Sequence, residues 1–220
     1  MLLSMNVIEL FSSIDGEGKR QGFLTTFLRL HDCNIRCSYC DTLYSYGPES
    51  TFESMSVQAV ADAIEQLENH RITVTGGEPL LQEPAIIELI DELTRRNHRY
   101  DFNIETNGTI IPSFHRDNVW FTYDYKTPSS LAEDAMNLDI FKVATPADII
   151  KFVVGSMQDL DRMDEILKTY PTDAQIFVSP VWGNIEGATI IDYMKAHNWQ
   201  NVRFQLQIHK FIWDPDAKGV

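Results

Sequence analysis

Three cysteines, no apolar run long enough to cross a bilayer, and a shortage of basic side chains are the first features of this 220-residue sequence. Each shortage excludes something. Three cysteines within eight residues cannot build a disulfide framework, and a reducing compartment keeps such a set as thiols. Apolar stretches that break within a few residues exclude a membrane span. Eighteen Lys and Arg against 32 Asp and Glu leave a net charge of −14. With no basic stripe, neither nucleic acid nor an anionic membrane is an expected partner. The opening MLLSMNVIEL carries no basic start and no cleavage pattern, so no secretory signal is expected and a cytoplasmic location is the default. Internal repeats, low-complexity tracts and linkers are also missing, so one α/β domain over residues 1–220 is expected.

What is present alternates between β-rich runs and helical stretches. Strands are predicted at Asn6–Phe11, Leu24–Leu30, Ile72–Thr75, Asp101–Glu105, Val119–Asp124, Ile149–Val154, Gln175–Ser179 and Val202–Gln207. Between several of them lie apolar stripes at three-to-four spacing: Val57, Val60, Ile64 and Leu67 behind a Ser56 N-cap; Ile86, Ile90 and Leu93; Leu160, Met163, Ile166 and Leu167; Ile190, Ile191 and Met194. Alternation of this kind implies mostly parallel pairing through right-handed crossovers. The chain is shorter than the ~250 residues of a full eight-fold barrel. An incomplete TIM-like barrel with outer helices is therefore predicted. Ligands of such sheets sit beyond the carboxyl ends of the strands. Asp32–Thr42, Gly76–Pro79 and Thr106–Gly108 all fall there.

Cys33, Cys37 and Cys40 have the spacing C-x3-C-x2-C. Three thiolates on one loop can hold three irons of a cubane, whereas a saturated cluster takes four. The iron left over is an open coordination site. A zinc knuckle completed by His31 or another histidine is the competing reading, but structural zinc sites draw paired cysteines from two separated places. That zinc-stabilised module without catalysis is the alternative from a different class.

Downstream, Thr75-Gly76-Gly77-Glu78-Pro79 follows a short strand; its glycines permit close approach of a ligand and Glu78 can accept from an ammonium group. Glu105-Thr106-Asn107-Gly108 suits ribose hydroxyls and a helix-capping turn equally well. Lys126 in Asp124-Tyr125-Lys126 reads as functional. Lys151, inside an apolar strand, must face a polar barrel mouth or lie at an edge.

With Tyr39 before its last cysteine, the loop resembles the signature of the radical S-adenosylmethionine (SAM) superfamily. The resemblance implies a [4Fe-4S] cluster on Cys33, Cys37 and Cys40 whose fourth iron chelates SAM. Reductive cleavage then gives a 5′-deoxyadenosyl radical, with no residue needed as a general acid or base. Ile14-Asp15-Gly16-Glu17-Gly18, Phe27-Leu28-Arg29-Leu30, Cys40-Asp41-Thr42 and Thr75–Pro79 further resemble the 7-carboxy-7-deazaguanine synthase family. The likeness is good over roughly the first 130 residues and looser beyond.

That family contracts 6-carboxy-5,6,7,8-tetrahydropterin to 7-carboxy-7-deazaguanine, releasing ammonia, on the route to queuosine-type bases. Carried over, Ile14, Asp15 and Gly16 would meet the pterin, chiefly by backbone groups, together with Thr75. Arg29 would hold the substrate carboxylate. Tyr39, Cys40, Asp41, Gly77, Glu78, Asp124, Tyr125 and Lys126 would surround SAM, and Thr42 would be a Mg²⁺ ligand. A flavodoxin or ferredoxin is the implied kind of electron donor, and a homodimer would cover an exposed strand edge. The sequence departs from the family pattern in three places. Asp15 replaces a common Gln and brings negative charge towards an acidic substrate; Asp124-Tyr125 replaces Ser-Pro; and Ser179-Pro180-Val181-Trp182 matches no known segment. A glycyl-radical-enzyme activating protein would share the cysteine loop and the Gly-Gly-Glu-Pro turn.

Overall fold

A computed structural model describes residues 3–215 and 217–220. Among these, nine strands form one open sheet in the order β3-β1-β2-β4-β5-β6-β7-β8-β9. The strands are β1 (Ser4–Ile14), β2 (Leu24–Leu30), β3 (Glu53–Ser56), β4 (Arg71–Gly76), β5 (Asp101–Thr106), β6 (Val119–Tyr125), β7 (Ile149–Val154), β8 (Gln175–Pro180) and β9 (Val202–Phe204). From β2 to β9 every pairing is parallel. Strands β3 and β9 end the sheet without meeting, so the barrel is incomplete, as the alternation predicts.

Two features differ from that expectation. Strand β1 pairs antiparallel with both β2 and β3, because the short connection over residues 15–23 has no room for a crossover helix. Strand β3, Ser54 and its neighbours, is too polar and too short to show a two-residue hydrophobic period. It exists because β1 offers it a backbone edge.

The helices are α1 (Val57–Gln66), α2 (Glu83–Arg96), α3 (Ile140–Val143), α4 (Met157–Thr169), α5 (Gly187–Ala196) and α6 (His209–Ile212). Ser56 caps α1 by accepting from the Ala59 amide at 3.2 Å, as its position predicts. Ser156 and Asp159 close a reciprocal capping box at the start of α4. The predicted stripes face the sheet: Val60 and Ile64, Ile86 and Ile90, Leu160, Met163 and Ile166, and Ile190 are all buried in one core. They pack on one face of the strands, where Leu28, Val74, Ile104, Tyr123, Phe152 and Val178 point.

The opposite face carries a different set. Arg29, Thr75, Glu105, Thr122, Asp124 and Lys151 alternate with those core residues and line a cavity of about 600 Å³. The strand alternation therefore divides the sheet into an apolar outer face and a polar inner one. No helix among the described residues is long and apolar enough to cross a membrane.

Candidate active site

The cysteine loop leaves β2 and folds over the carboxyl end of the sheet. Cys33, Cys37 and Cys40 are free, and all three line the cavity. The loop is pinned against the turn after β4. Gly77 N donates to Leu30 O at 3.2 Å and Glu78 N to Asp32 O at 2.7 Å. This approach is why two glycines stand there. Gly76 has a φ of +143°, and a Cβ on it would lie 2.2 Å from Leu30 O. A Cβ on Gly77 would lie 1.9 Å from Asp32 O and 2.8 Å from Cys33 Cβ.

Three free thiols from one loop on one cavity wall fit a cluster with an open iron. Burial pushes the Cys33 thiol up and takes that of Cys37 to about 11, so both hold their protons at neutral pH until a metal displaces them. Among the described residues, no three His, Cys, Asp or Glu side chains are arranged to hold a single metal ion, as a zinc knuckle requires.

Across the cavity lies a chain of charges. Lys151 Nζ donates to Glu17 Oε2 at 2.8 Å and stands 3.5 Å from Asp124 Oδ2. Lys126 Nζ meets the same Asp124 oxygen at 3.1 Å. Burial works against the charge of both lysines, but the facing carboxylates outweigh it and hold both above the ordinary lysine range. Lys151 thus faces the polar barrel mouth rather than an edge. Glu17 Oε1 and Asp124 Oδ1 are buried with no hydrogen-bond partner among the described residues. Glu105, beside Thr75 Oγ1 at 3.4 Å, is raised by burial to about 7 against the pull of Lys151.

Several expected residues are brought together. Ile14, Gly16, Arg29, Tyr39, Asp41, Thr42, Thr75, Gly77, Asp124 and Lys126 all line the cavity with the thiols. Arg29 Nε bonds Glu9 Oε1 at 2.6 Å, and Tyr44 donates its hydroxyl to the same oxygen at 2.8 Å. Thr42 Oγ1 bonds Asp41 Oδ1 at 3.0 Å.

Two expected positions, Glu78 and Tyr125, are not among the residues that line the cavity. The Glu78 carboxylate is fully buried and accepts from Leu80 N, Asn107 N and the Thr106 hydroxyl. It braces two turns with three of its roughly four acceptor directions. Tyr125 points outward from β6 into the core, packs on Phe141 and Phe152 and donates to Glu133 at 2.9 Å. The period of two that puts Asp124 in the cavity excludes Tyr125 from it.

The Asp15 carboxylate bonds Arg20 Nε at 2.9 Å and the Thr25 hydroxyl at 3.0 Å, while the Asp15 amide and carbonyl close the turn to Phe23 and Gly22. The charge expected to trouble an acidic substrate is neutralised inside the wall, and Arg20 in turn stacks 4.6 Å from the Trp120 ring. Burial still raises its pKa, with Arg20 opposing. The side chain and amide of Asp15 are thus already bonded within the cavity wall.

Residues 205–215 supply what the sequence does not signal. Ile208 N donates to Gly16 O at 3.1 Å, Gln205 Oε1 accepts from Gly18 N at 2.8 Å, and Lys210 pairs with Asp41 at 3.2 Å. His209 packs so tightly on Gly16 that a Cβ there would lie 1.9 Å from its Nδ1. This segment straps the glycine turn to the cysteine loop and roofs the cavity. It shows no strong periodicity, and its role depends on contacts as far as 187 positions away in sequence.

The family model of the radical SAM superfamily matches residues 29–153, from Arg29 to the end of β7. A 7-carboxy-7-deazaguanine synthase of Clostridium acetobutylicum is 37% identical over 223 residues, covering 99% of this chain and 100% of its own. Another, of Methanospirillum hungatei, is 37% identical over 214 residues, covering 96% and 86%. The crystal structure of QueE from Escherichia coli superposes with a TM-score of 0.69 at 22% identity over 92% of this chain and 93% of that one, a likeness of fold.

Proposed function

The chain belongs to the 7-carboxy-7-deazaguanine synthase family of the radical SAM superfamily, and from that premise we propose how its cavity converts 6-carboxy-5,6,7,8-tetrahydropterin to 7-carboxy-7-deazaguanine with loss of ammonia. Membership of the superfamily implies a [4Fe-4S] cluster and SAM. Cys33, Cys37 and Cys40 would hold the cluster, which with SAM would supply the radical chemistry that starts on the substrate. The protein's part is binding, orientation and exclusion of water.

The observation that carries this reading is the pairing of two walls in one cavity: three free thiols on one, Arg29, Thr75 and two partnerless carboxylate oxygens on the other. A reduced carboxypterin has one carboxylate and a row of N–H donors. Arg29 bonds Glu9 through Nε, and among the described residues its two terminal nitrogens are left for the carboxylate. Glu17 Oε1 is an acceptor for ring N–H groups. Asp124 and Lys126, whose charges reach Cys37, form a polar surface for SAM with Tyr39, Asp41 and Gly77. The roof formed by residues 205–215 keeps solvent from the radical.

Magnesium belongs to the same reading. Thr42 Oγ1 is one hard donor; the substrate carboxylate and waters would complete an octahedral shell. Single-electron supply by a flavodoxin- or ferredoxin-type donor, one domain over residues 1–220, a cytoplasmic setting and a homodimer complete the proposal. The two open sheet edges at β3 and β9 support the last. Light scattering of the purified protein reads the dimer directly.

Neither alternative is favoured. Full-length similarity to synthases speaks against an activating enzyme, and the thiol arrangement against zinc. Anaerobically reconstituted protein, given carboxytetrahydropterin, reductant, SAM and Mg²⁺, should release deazaguanine acid detectable by mass spectrometry. Cleavage of SAM without that product overturns the substrate assignment. Thr42→Val should abolish the stimulation by Mg²⁺ while leaving SAM cleavage intact; unchanged stimulation removes Thr42 from the metal.

A further inference from the structure

Asn107, in the turn after β5, is buried, and the resemblance gives it no role. Its side-chain amide is held at both ends. Oδ1 accepts from Thr109 N at 3.0 Å and from the Thr109 hydroxyl at 2.7 Å. That double acceptance settles which end is the carbonyl. Nδ2 therefore faces the other way, where it donates to Asn34 Oδ1 at 2.9 Å and lies 3.7 Å from Cys33 Sγ, in reach of an N–H to sulfur bond. Asn34 closes the ring by donating its own Nδ2 to Thr109 Oγ1 at 2.8 Å. The Asn107 backbone is fixed too, through its amide to Glu78 Oε2 at 2.7 Å. Glu78 thus anchors the turn that presents Asn107.

A donor held against a ligating sulfur matters for one quantity above others. Adding an electron to a cluster adds negative charge, part of which resides on the sulfurs. An N–H aimed at a sulfur stabilises that reduced state and moves the potential in the positive direction. The ring of Asn34, Asn107 and Thr109 has a donor for each acceptor it uses, so the amide cannot turn away without breaking three bonds.

We propose that Asn107 is a positioning residue that presses a side-chain N–H on the Cys33 sulfur and so sets the reduction potential of the cluster. The inference rests on the radical SAM reading of the three thiols. It separates tuning from bracing. A brace lost would lower iron occupancy; a tuning bond lost would shift the potential at full occupancy.

The test is a redox titration of the reconstituted protein, followed by EPR and paired with iron analysis. Asn107→Leu, close in volume but without a donor, should keep about four irons per chain, as a [4Fe-4S] cluster requires, and titrate at a more negative potential. SAM cleavage driven by a weak reductant should slow, and a stronger reductant should restore it. Asn34→Ala loosens the ring but leaves the donor, and its potential should stay near wild type. An unshifted potential in Asn107→Leu overturns the proposal, as does an equal shift in Asn34→Ala. Should Asn107→Leu fail to hold iron, the wild-type protein carrying ¹⁵N only in asparagine side-chain amides decides. Pulsed EPR of its reduced cluster should detect a coupled amide nitrogen, and absence of that coupling overturns the assignment. Wild-type protein that binds no iron would instead defeat the cluster reading beneath it, a distinguishable failure.

Discussion

The two faces of the sheet are made by the same strands, residue by alternate residue, and they are held by different forces. On β7 the outward residues Ile150, Phe152 and Val154 are wholly buried against α4, where apolar area removed from water stabilises them. Inward from the same strand, Lys151 is nearly as inaccessible but must be matched charge for charge by Glu17 and Asp124. Strand β6 repeats the division, with Phe121 and Tyr123 stacked 5.7 Å apart on the outside and Thr122 and Asp124 inside. The outer face is built for stability, whereas the inner face gives some up: a buried ion pair seldom repays its desolvation relative to an apolar pair of the same shape.

Truncating the outer face should cost most. Phe152→Ala removes a fully buried ring and should lower stability by about 3–5 kcal/mol in chemical denaturation. A loss below about 1 kcal/mol would mean that this face is not the core. Breaking the inner face from one side comes next. Lys151→Ala strands the Glu17 carboxylate, leaves Asp124 only Lys126, and should cost about 3 kcal/mol. Lys151→Met combined with Glu17→Gln should regain most of that stability while abolishing product formation. If the double variant stays active, the inner charges are structural and the contrast between the faces fails.

Acidity sharpens the comparison further. Glu105 sits at about 7 in the folded protein against an ordinary 4.5. The folded state therefore binds its proton more tightly than the unfolded chain does. Stability falls as pH rises from about 4.5 through 7 and stays at the lower level above. Glu105→Gln removes this slope. Its advantage over wild type should be absent at pH 4 and grow to about 1–3 kcal/mol by pH 8, read from denaturation at both pH values. An advantage that does not change with pH would show Glu105 ionising normally. Smallest is the change far from both faces. Ser56→Ala removes the α1 cap, should cost about 1 kcal/mol, and should leave product formation unaltered.

The outer face is largely legible in the sequence, because apolar residues recurring every two or every three to four positions report directly on burial. Leu160, Met163 and Ile166 have the spacing of a packed stripe and form one. Much of the inner face is legible as well, since Cys33, Cys37 and Cys40, Gly76 and Gly77, and Arg29 lie in short local patterns that line the cavity together. The residues whose contacts differ from expectation do so for separate reasons. Glu78 has the chemistry of an ammonium ligand, yet it is buried as a brace of the turn after β5. Asp15 is charged, but Arg20, five positions on, cancels it. Tyr125 follows Asp124 in sequence and so must point the other way.

By itself, then, the sequence determined the family, the cysteine loop and the division of each strand into two faces, because those depend on spacing along the chain. Only the tertiary structure decided which polar groups stay open to a ligand, since a side chain is spent or free according to neighbours that are distant in sequence. Lys151 meets Glu17 across 134 positions and Gly18 meets Gln205 across 187. Local spacing carries no information about such partners; the curling of the sheet brings them together.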